Sequence, residues 1–117
     1  MVVDDDEPLR DLVRLMLESD GCLAKVADGG DEALERLNSQ GADLDAVILD
    51  LSMPDVTGVQ VYQAMQELHS SVPVVIVSGT PRHETLRLHP DLTHLPYIEK
   101  PFACKELLQA LHVALKG

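Results

Sequence analysis

Two groups of acidic residues directly follow apolar runs, and they are the first candidates for chemistry in this chain. Asp4-Asp5-Asp6 comes after Met1-Val2-Val3, and Asp50 ends the run Val47-Ile48-Leu49. Two carboxylates about 5 Å apart repel by roughly 3 kcal/mol at an effective dielectric of about 20, so a cluster of them needs a compensating cation. Oxygen ligands at a partly hydrated site suit Mg²⁺. The pattern therefore predicts a magnesium site at Asp4, Asp5 and Asp50, with Mn²⁺ as an alternative ion.

Two further polar residues could bind a phosphoryl group at this site. Ser78 follows an apolar run and offers a hydroxyl donor, and Lys100 offers a point charge that can reach a phosphoryl oxygen. With a carboxylate nucleophile and a metal ion, they are the parts needed to transfer a phosphoryl group onto a carboxylate. Taken singly, each residue also has an ordinary structural interpretation. An aspartate or serine at a strand end commonly caps a turn, and a lysine commonly lies at the surface.

The elements that would position these residues alternate along the chain. Apolar runs predict strands at 1–3, 22–27, 45–50, 72–77 and 97–99, and helical periodicity predicts helices at 8–19, 31–39, 58–69 and 103–116. In the third of these helices, Val61, Met65 and Leu68 are expected to face inward. Five β-α units with short connections predict a parallel sheet covered by helices on both faces. Ligands bind such sheets at the carboxyl ends of the strands, where the acids, the serine and the lysine would meet.

Composition limits the class of protein. The length of 117 residues predicts one domain, 1–117, and 45% hydrophobic residues with only 3% aromatics predict an aliphatic core. A formal net charge of −11 argues against direct contact with nucleic acid or an anionic membrane. The chain has no apolar run long enough to span a membrane and no secretory signal pattern, and its two cysteines form no CxxC pair. We therefore expect a cytoplasmic protein with reduced cysteines.

Taken in order, these segments resemble the receiver domain of two-component response regulators. The resemblance is carried by four segments and covers essentially the whole chain: Val2–Asp6, Val47–Gly58, Val77–Gly79 and Lys100–Phe102. It implies an α/β fold, a doubly wound, flavodoxin-like (βα)5 domain with a five-stranded parallel sheet in the order 2-1-3-4-5. It also implies a function, transfer of a phosphoryl group from a phosphohistidine to the domain, followed by slow autodephosphorylation. The implied partner is a histidine kinase or a histidine phosphotransfer domain.

The same resemblance implies a role for each acid of the site. Asp50 matches the phosphoacceptor and also a metal ligand. Asp5 matches the residue that binds Mg²⁺ directly, and Asp4 matches the one that acts through water. Ser52 matches the position whose main-chain carbonyl ligates the metal. The segment Met53-Pro54-Asp55 would shape the loop beside the acceptor.

Three other residues match the family's switch. Ser78 matches the hydroxyl residue that turns toward the phosphate, and Lys100 matches the lysine that pairs with it. The bond between Lys100 and Pro101 is expected to be cis. Tyr97 matches the aromatic that changes rotamer on activation, although packing into the core is its alternative role.

The chain departs from the family pattern at two places. Between Arg82 and Pro96 no regular fourth helix is evident. We expect a helix that is short, distorted or mobile and ends by about His89, because Pro90 disfavours helical geometry in the residue before it. This stretch is similar to receivers attached to hybrid histidine kinases. Ala103 stands where a capping side chain is usual, at a cost of about 1 kcal/mol.

Two other functions compete with phosphoryl acceptance. One is a protein-interaction scaffold with the receiver fold that works without phosphorylation, and the intact set of acids argues against it. The other is a phosphatase resembling the haloacid dehalogenases, which favour Asp-x-Asp after a strand. Ser52 occupies the position of the second aspartate here. The domain would support its own phosphorylation and dephosphorylation without being a turnover enzyme alone, and the cognate kinase and oligomeric state stay open.

Overall fold

Strands and helices alternate in the computed structural model, which describes residues 1–22, 24–40, 44–53, 57–68 and 71–116. In these residues the elements are β1 (Val2–Val3), α1 (Glu7–Ser19), β2 (Val26–Ala27), α2 (Gly30–Gln40), β3 (Val47–Asp50), α3 (Gly58–Glu67), β4 (Val74–Ser78), α4 (Arg82–Leu88), β5 (Tyr97–Glu99) and α5 (Cys104–Lys116). A single 3-10 turn, Pro90–Leu92, follows α4. No helix in this described part is long and apolar enough to cross a membrane.

The strands form one parallel sheet in the order β2-β1-β3-β4-β5, which confirms the predicted fold class and strand order. In the register, Val3 lies opposite Leu49 and Asp50 lies opposite Val77. Strand β4 in turn places Ser78 opposite Glu99, the residue before Lys100. The register therefore brings the polar ends of β1, β3, β4 and β5 to the same edge of the sheet.

Alternate side chains of each strand enter two separate aliphatic layers. Val47 and Leu49 of β3 pack on the side covered by α2 and α3, while Ile48 packs on the side covered by α1 and α5. Every residue of β3 and β4 is buried, as expected for strands covered on both faces. Leu68 is an exception to the predicted pattern: it was expected inside with Val61 and Met65, but it follows the last turn of α3 and is exposed.

Four strands are shorter than their apolar runs predicted; β1 begins at Val2 rather than at residue 1, and β3 begins at Val47 rather than at residue 45. Strand β2 covers only Val26–Ala27 of the predicted 22–27, because β1 offers just two residues to pair with. Strand β4 begins at Val74 rather than at residue 72. Pro73 has no N–H to give to a ladder, although its carbonyl still accepts from the Val47 N–H at 2.9 Å.

The helix starts combine predicted and unpredicted caps. Asp6 caps α1 by accepting from the Leu9 N–H at 3.3 Å, with Pro8 in the first turn. Helix α5 lacks a capping side chain at Ala103, as expected from the sequence. The Glu106 carboxylate instead accepts from the Ala103 N–H at 3.2 Å, which is the reverse half of a capping box.

Helix α4 is as short as the sequence predicted. It ends at Leu88, and His89 leaves helical geometry with φ −134° and ψ 71°. Pro90 then begins the 3-10 turn, whose Leu92 is fully buried and anchors the segment to the core. The chain thus replaces the rest of a regular fourth helix with one tight turn.

The start of α3 presses against the carboxyl end of β3. Gly58 donates its N–H to the Leu51 carbonyl at 3.2 Å. A Cβ atom at Gly58 would overlap the Asp50 carbonyl oxygen and lie 2.7 Å from the Leu51 Cα. Both obstacles are backbone atoms, so no side-chain rotation can relieve the overlap.

We therefore predict that Gly58→Ala lowers the free energy of unfolding by about 2–3 kcal/mol, because the added methyl overpacks a rigid contact. Urea denaturation followed by circular dichroism would measure the loss. Gly29→Ala is the matched control, since nothing lies within 4 Å of a Cβ there. Equal unfolding midpoints for the two variants would contradict the steric argument.

Candidate functional site

Three carboxylates meet at the carboxyl ends of β1 and β3. Asp4, Asp5 and Asp50 each offer one oxygen such that all three oxygens lie within 4.8 Å of one another. Asp4 and Asp50 are almost fully buried, with 4% and 3% of their surfaces exposed, whereas Asp5 is exposed. The cluster predicted from the sequence is therefore present, with one acid at the solvent edge and two beneath it.

Neighbouring groups hold Asp4 in place. One oxygen of its carboxylate accepts from the Asp6 N–H at 2.9 Å, and its main-chain carbonyl accepts from the Arg10 guanidinium at 3.3 Å. Asp6 itself turns away to cap α1. The three consecutive acids thus have three different surroundings.

Lys100 is the cation that the structure places against the buried acids. Its Nζ lies 3.4 Å from Asp50 Oδ1 and 3.5 Å from Asp4 Oδ2. The Lys100 N–H donates to the Ser78 carbonyl at 2.8 Å, which ties the lysine to the end of β4. The Lys100–Pro101 bond is cis, as the resemblance implied.

Asp50 has an unusual ionisation. The pKa of Asp50 is raised to about 6, because burial and then the nearby Asp4 carboxylate raise it more than Lys100 and the Ser52 N–H lower it. The Ser52 N–H donates to Asp50 Oδ1 at 3.3 Å. The surroundings of Asp50 therefore favour its neutral form, and a cation bound beside it would stabilise the charged form.

The donor set fits a small, hard divalent cation. Carboxylate oxygens are the ligands that Mg²⁺ prefers, and it usually keeps several waters, which suits a cluster with one exposed edge. Lys100 brings one positive charge to two buried carboxylates, so the described part of the site keeps a net negative charge. The fit rests on this imbalance together with the spacing of the oxygens.

Ser78 and Tyr97 lie in a separate hydrogen-bond network just beyond the acids. The Ser78 Oγ is fully buried and accepts from the Thr80 N–H at 3.0 Å. The half-buried Tyr97 donates its hydroxyl proton to the Thr80 carbonyl at 2.7 Å, and it also lies 2.8 Å from Thr85 Oγ1. Pro54, Asp55 and Val56 of the predicted loop lie outside the described residues.

The sequence matches the response regulator receiver domain family over residues 1–112. This chain belongs to that family.

Curated relatives agree with the assignment. The receiver is 32% identical to the response regulator SaeR of Staphylococcus epidermidis over 112 residues, which cover 92% of this chain and 46% of SaeR. It is 30% identical to the sensory transduction protein RegX3 of Mycobacterium tuberculosis over 116 residues, 99% of this chain and 50% of RegX3. The chain spans about half the length of these relatives.

Solved receivers share the fold. The receiver domain of NtrX from Brucella abortus superposes with a TM-score of 0.87 at 30% identity, covering 98% of this chain and 96% of that one. The Vibrio cholerae chemotaxis protein CheY4 superposes with a TM-score of 0.84 at 28% identity, covering 97% and 95%. The fold and the sheet order are therefore those of a receiver.

Sequence reasoning missed two residues that support the receiver's site. Thr80 joins Ser78 to Tyr97 through its own backbone groups, and Thr85 bonds to Tyr97 from α4. The signal for Thr80 was the Pro81 that follows it, which restricts its backbone. Thr85 gave no signal, because a threonine in a short polar helix usually faces solvent.

The raised pKa of Asp50 leads to a prediction about stability. The folded receiver holds this proton more tightly than the unfolded chain, so ionisation of Asp50 lowers stability as pH rises from about 4 to about 6. Without divalent metal at pH 7.5, Asp50→Asn should therefore raise the free energy of unfolding. A rise of about two in pKa corresponds to about 3 kcal/mol.

The gain should shrink as pH falls below about 6 and vanish near pH 4, as measured by urea denaturation across pH in EDTA. Asp45→Asn is the control, because it removes an exposed carboxylate from the same acidic chain without touching the cluster. If both variants gained equally at every pH, general charge repulsion would explain the effect and the argument from burial would be wrong.

Proposed function

We propose that this receiver accepts a phosphoryl group on Asp50 from the phosphohistidine of a histidine kinase or a histidine phosphotransfer domain. The observation that carries the proposal is the buried Asp50 carboxylate, 3.4 Å from the Lys100 ammonium and within a cluster of oxygen ligands. Membership of the receiver family and its response-regulator relatives support it.

The reaction needs an ionised carboxylate with a cation beside the transferred group. An oxygen of Asp50 attacks phosphorus, the phosphorus–oxygen bond forms, and the phosphorus–nitrogen bond of the phosphohistidine breaks with its electron pair going to the imidazole. Because the pKa of Asp50 is about 6, the carboxylate is mainly ionised at neutral pH. Lys100 already lies beside this oxygen and would pair with the arriving phosphoryl group.

We propose Asp5, Asp50 and the Ser52 main-chain carbonyl as the residues that hold Mg²⁺ or Mn²⁺, with Asp4 acting through water. Bound there, the ion would offset the charge of the acids and of the phosphoryl oxygens. Asp5 is the exposed member of the cluster and so offers its oxygens most readily. Slow autodephosphorylation would follow when water reaches the phosphoryl group beside these acids.

The proposed switch runs through Ser78 and Tyr97. Accepting from the Thr80 N–H leaves the Ser78 hydroxyl proton free to donate to a phosphoryl oxygen. The Tyr97 hydroxyl donates to the carbonyl of Thr80, so Ser78 and Tyr97 both bond to the backbone of Thr80. A movement of Ser78 toward a phosphoryl group would therefore change what Tyr97 contacts.

Helix α1 offers a surface for the phosphoryl donor beside the acids. It begins directly after Asp6, and its Leu12 and Leu15 are 48% and 59% exposed. Exposed apolar side chains on the helix that follows the acids suit docking of a helical phosphohistidine domain. The single-domain boundary at 1–117, the cytoplasmic location and the similarity to hybrid-kinase receivers stay predictions.

The alternative of a phosphorylation-independent scaffold is decided by direct labelling. Incubation with acetyl phosphate and Mg²⁺ should add one phosphate to the wild-type receiver, measured by intact mass, and none to Asp50→Asn, which keeps the shape of the side chain but cannot form the acyl phosphate. Asp45→Asn should label like the wild type. Undiminished labelling of Asp50→Asn would overturn the assignment of the acceptor, and an unlabelled wild type would favour the scaffold.

The metal assignment predicts unequal effects of two neighbouring acids. Asp5→Asn should weaken Mg²⁺ binding at least tenfold, because it removes a charged ligand, whereas Asp6→Asn should leave it nearly unchanged. Asparagine caps a helix as well as aspartate does, so α1 stays intact in the control. Titration calorimetry with Mg²⁺ and Mn²⁺ measures both variants, and equal losses would refute Asp5 as a direct ligand.

A further inference from the structure

A continuous chain of hydrogen bonds leads from Ser78 to helix α4. The Thr80 N–H donates to Ser78 Oγ at 3.0 Å, and the Thr80 carbonyl accepts from the Tyr97 hydroxyl at 2.7 Å. The Tyr97 oxygen in turn lies 2.8 Å from Thr85 Oγ1, on α4. Both backbone groups of Thr80 are therefore engaged, one on each side of the chain.

The direction of the last bond follows from the number of protons. A phenol has one hydroxyl proton, and Tyr97 gives it to the Thr80 carbonyl. The remaining contact can only form if the Thr85 hydroxyl donates to the Tyr97 oxygen. Threonine hydroxyls inside helices commonly bond to the preceding turn of their own helix. Thr85 instead reaches a neighbouring element.

Thr85 is also the point at which α4 is buried. It is 7% exposed and is the one buried side chain among the seven residues of α4. The other described bond between α4 and β5 is polar as well, from the Arg82 N–H to the Glu99 carboxylate at 3.3 Å. Leu86 of α4 packs partly against the core, and these two hydrogen bonds attach α4 to the edge strand.

We propose that Thr85 is the positioning residue of the switch: its hydroxyl holds the Tyr97 phenol against the Thr80 carbonyl and so links α4 to the acceptor site. The link to phosphorylation rests on the proposed function above. The hold on Tyr97 does not, because it exists in the unphosphorylated protein. Since Thr85 is buried, water cannot readily replace the lost donor, and removal of the hydroxyl frees the phenol to leave its position.

The first test needs no phosphoryl donor. The chain contains only two tyrosines, Tyr62 and Tyr97, so carbon-13 labelling of tyrosine gives two sets of ring signals. In Thr85→Val, which keeps the shape and loses the donor, the Tyr97 signals should shift and broaden while those of Tyr62 stay in place. Thr85→Ser should restore the wild-type signals, which a loss of packing alone would not allow.

Thr93→Val is the matched control, because this exposed threonine bonds only to the Pro90 carbonyl among the described contacts of its hydroxyl. Its Tyr97 signals should equal those of the wild type. Wild-type Tyr97 signals in Thr85→Val would overturn the proposal. So would a failure of Thr85→Ser to restore them.

A double-mutant cycle covers the case in which Thr85→Val is poorly folded. Tyr97→Phe removes the same bond from the other side, so the effect of Thr85→Val on the unfolding equilibrium should be at least about threefold smaller in the Tyr97→Phe background. Equal effects in the two backgrounds would show that the hydroxyls do not act together.

The second test adds acetyl phosphate and Mg²⁺ and follows amide signals of α4. Thr85→Val should still be labelled on Asp50, within about twofold of the wild type, because its side chain lies outside the acid cluster. Its amide shifts at Arg82–Leu88 on phosphorylation should be less than half those of the wild type, and Thr85→Ser should respond fully. An unchanged response in Thr85→Val would overturn the link. If the wild type itself took no label, the proposed function would fail, and the tyrosine signals would still decide the role of Thr85.

Discussion

The structure depends on two carboxylates, Asp4 and Asp50, that are buried together against a single ammonium group. Lys100 lies about equally far from both, so one positive charge is shared between two negative ones. Burial strengthens every one of these interactions and also penalises any charge left without a partner. These residues therefore carry more negative than positive charge. This imbalance favours the binding of a cation and of a group that can pair with the lysine.

The acids stay close together in spite of their repulsion because backbone hydrogen bonds hold the strands that carry them. The Ile48 N–H donates to the Met1 carbonyl at 2.8 Å, and the Leu51 N–H donates to the Val77 carbonyl at 3.2 Å, so the ends of β1, β3 and β4 are locked by the ladder. The aliphatic layers on both faces bury the strands that carry the carboxylates. On the remaining side, Gly58 lets the start of α3 approach the backbone of Asp50 directly. The repulsion between the acids is thus opposed by backbone contacts around β3 as well as by the Lys100 ammonium.

Much of this arrangement follows from local sequence, and the exceptions share a physical cause. Apolar runs ending in acids located β1 and β3, and Pro90 located the end of α4, because each pattern acts within a few residues. Strand β2 was predicted too long because strand length depends on the partner strand, and Leu68 was misplaced because the helix ends there. The different roles of Asp5 and Asp6 were predicted from the family resemblance. No feature of the sequence predicted the bond between Thr85 and Tyr97. Tertiary packing decides which side chains make such contacts, and the hydrophobic periodicity of the sequence does not predict them.

The shortness of α4 gives the receiver an element that a small free energy can move. Helix α4 has only seven residues, and its Leu86 packs only partly against the core, so the polar bonds of Thr85 and Arg82 make up much of its attachment. A single hydrogen bond contributes about 1 kcal/mol net. One new bond from Ser78 to a phosphoryl oxygen is therefore of the same order as each bond that holds α4, and a ligand can shift an equilibrium only by its differential affinity for the two states. The weak attachment of α4 is what would let an event at the acids be felt on the surface of the domain.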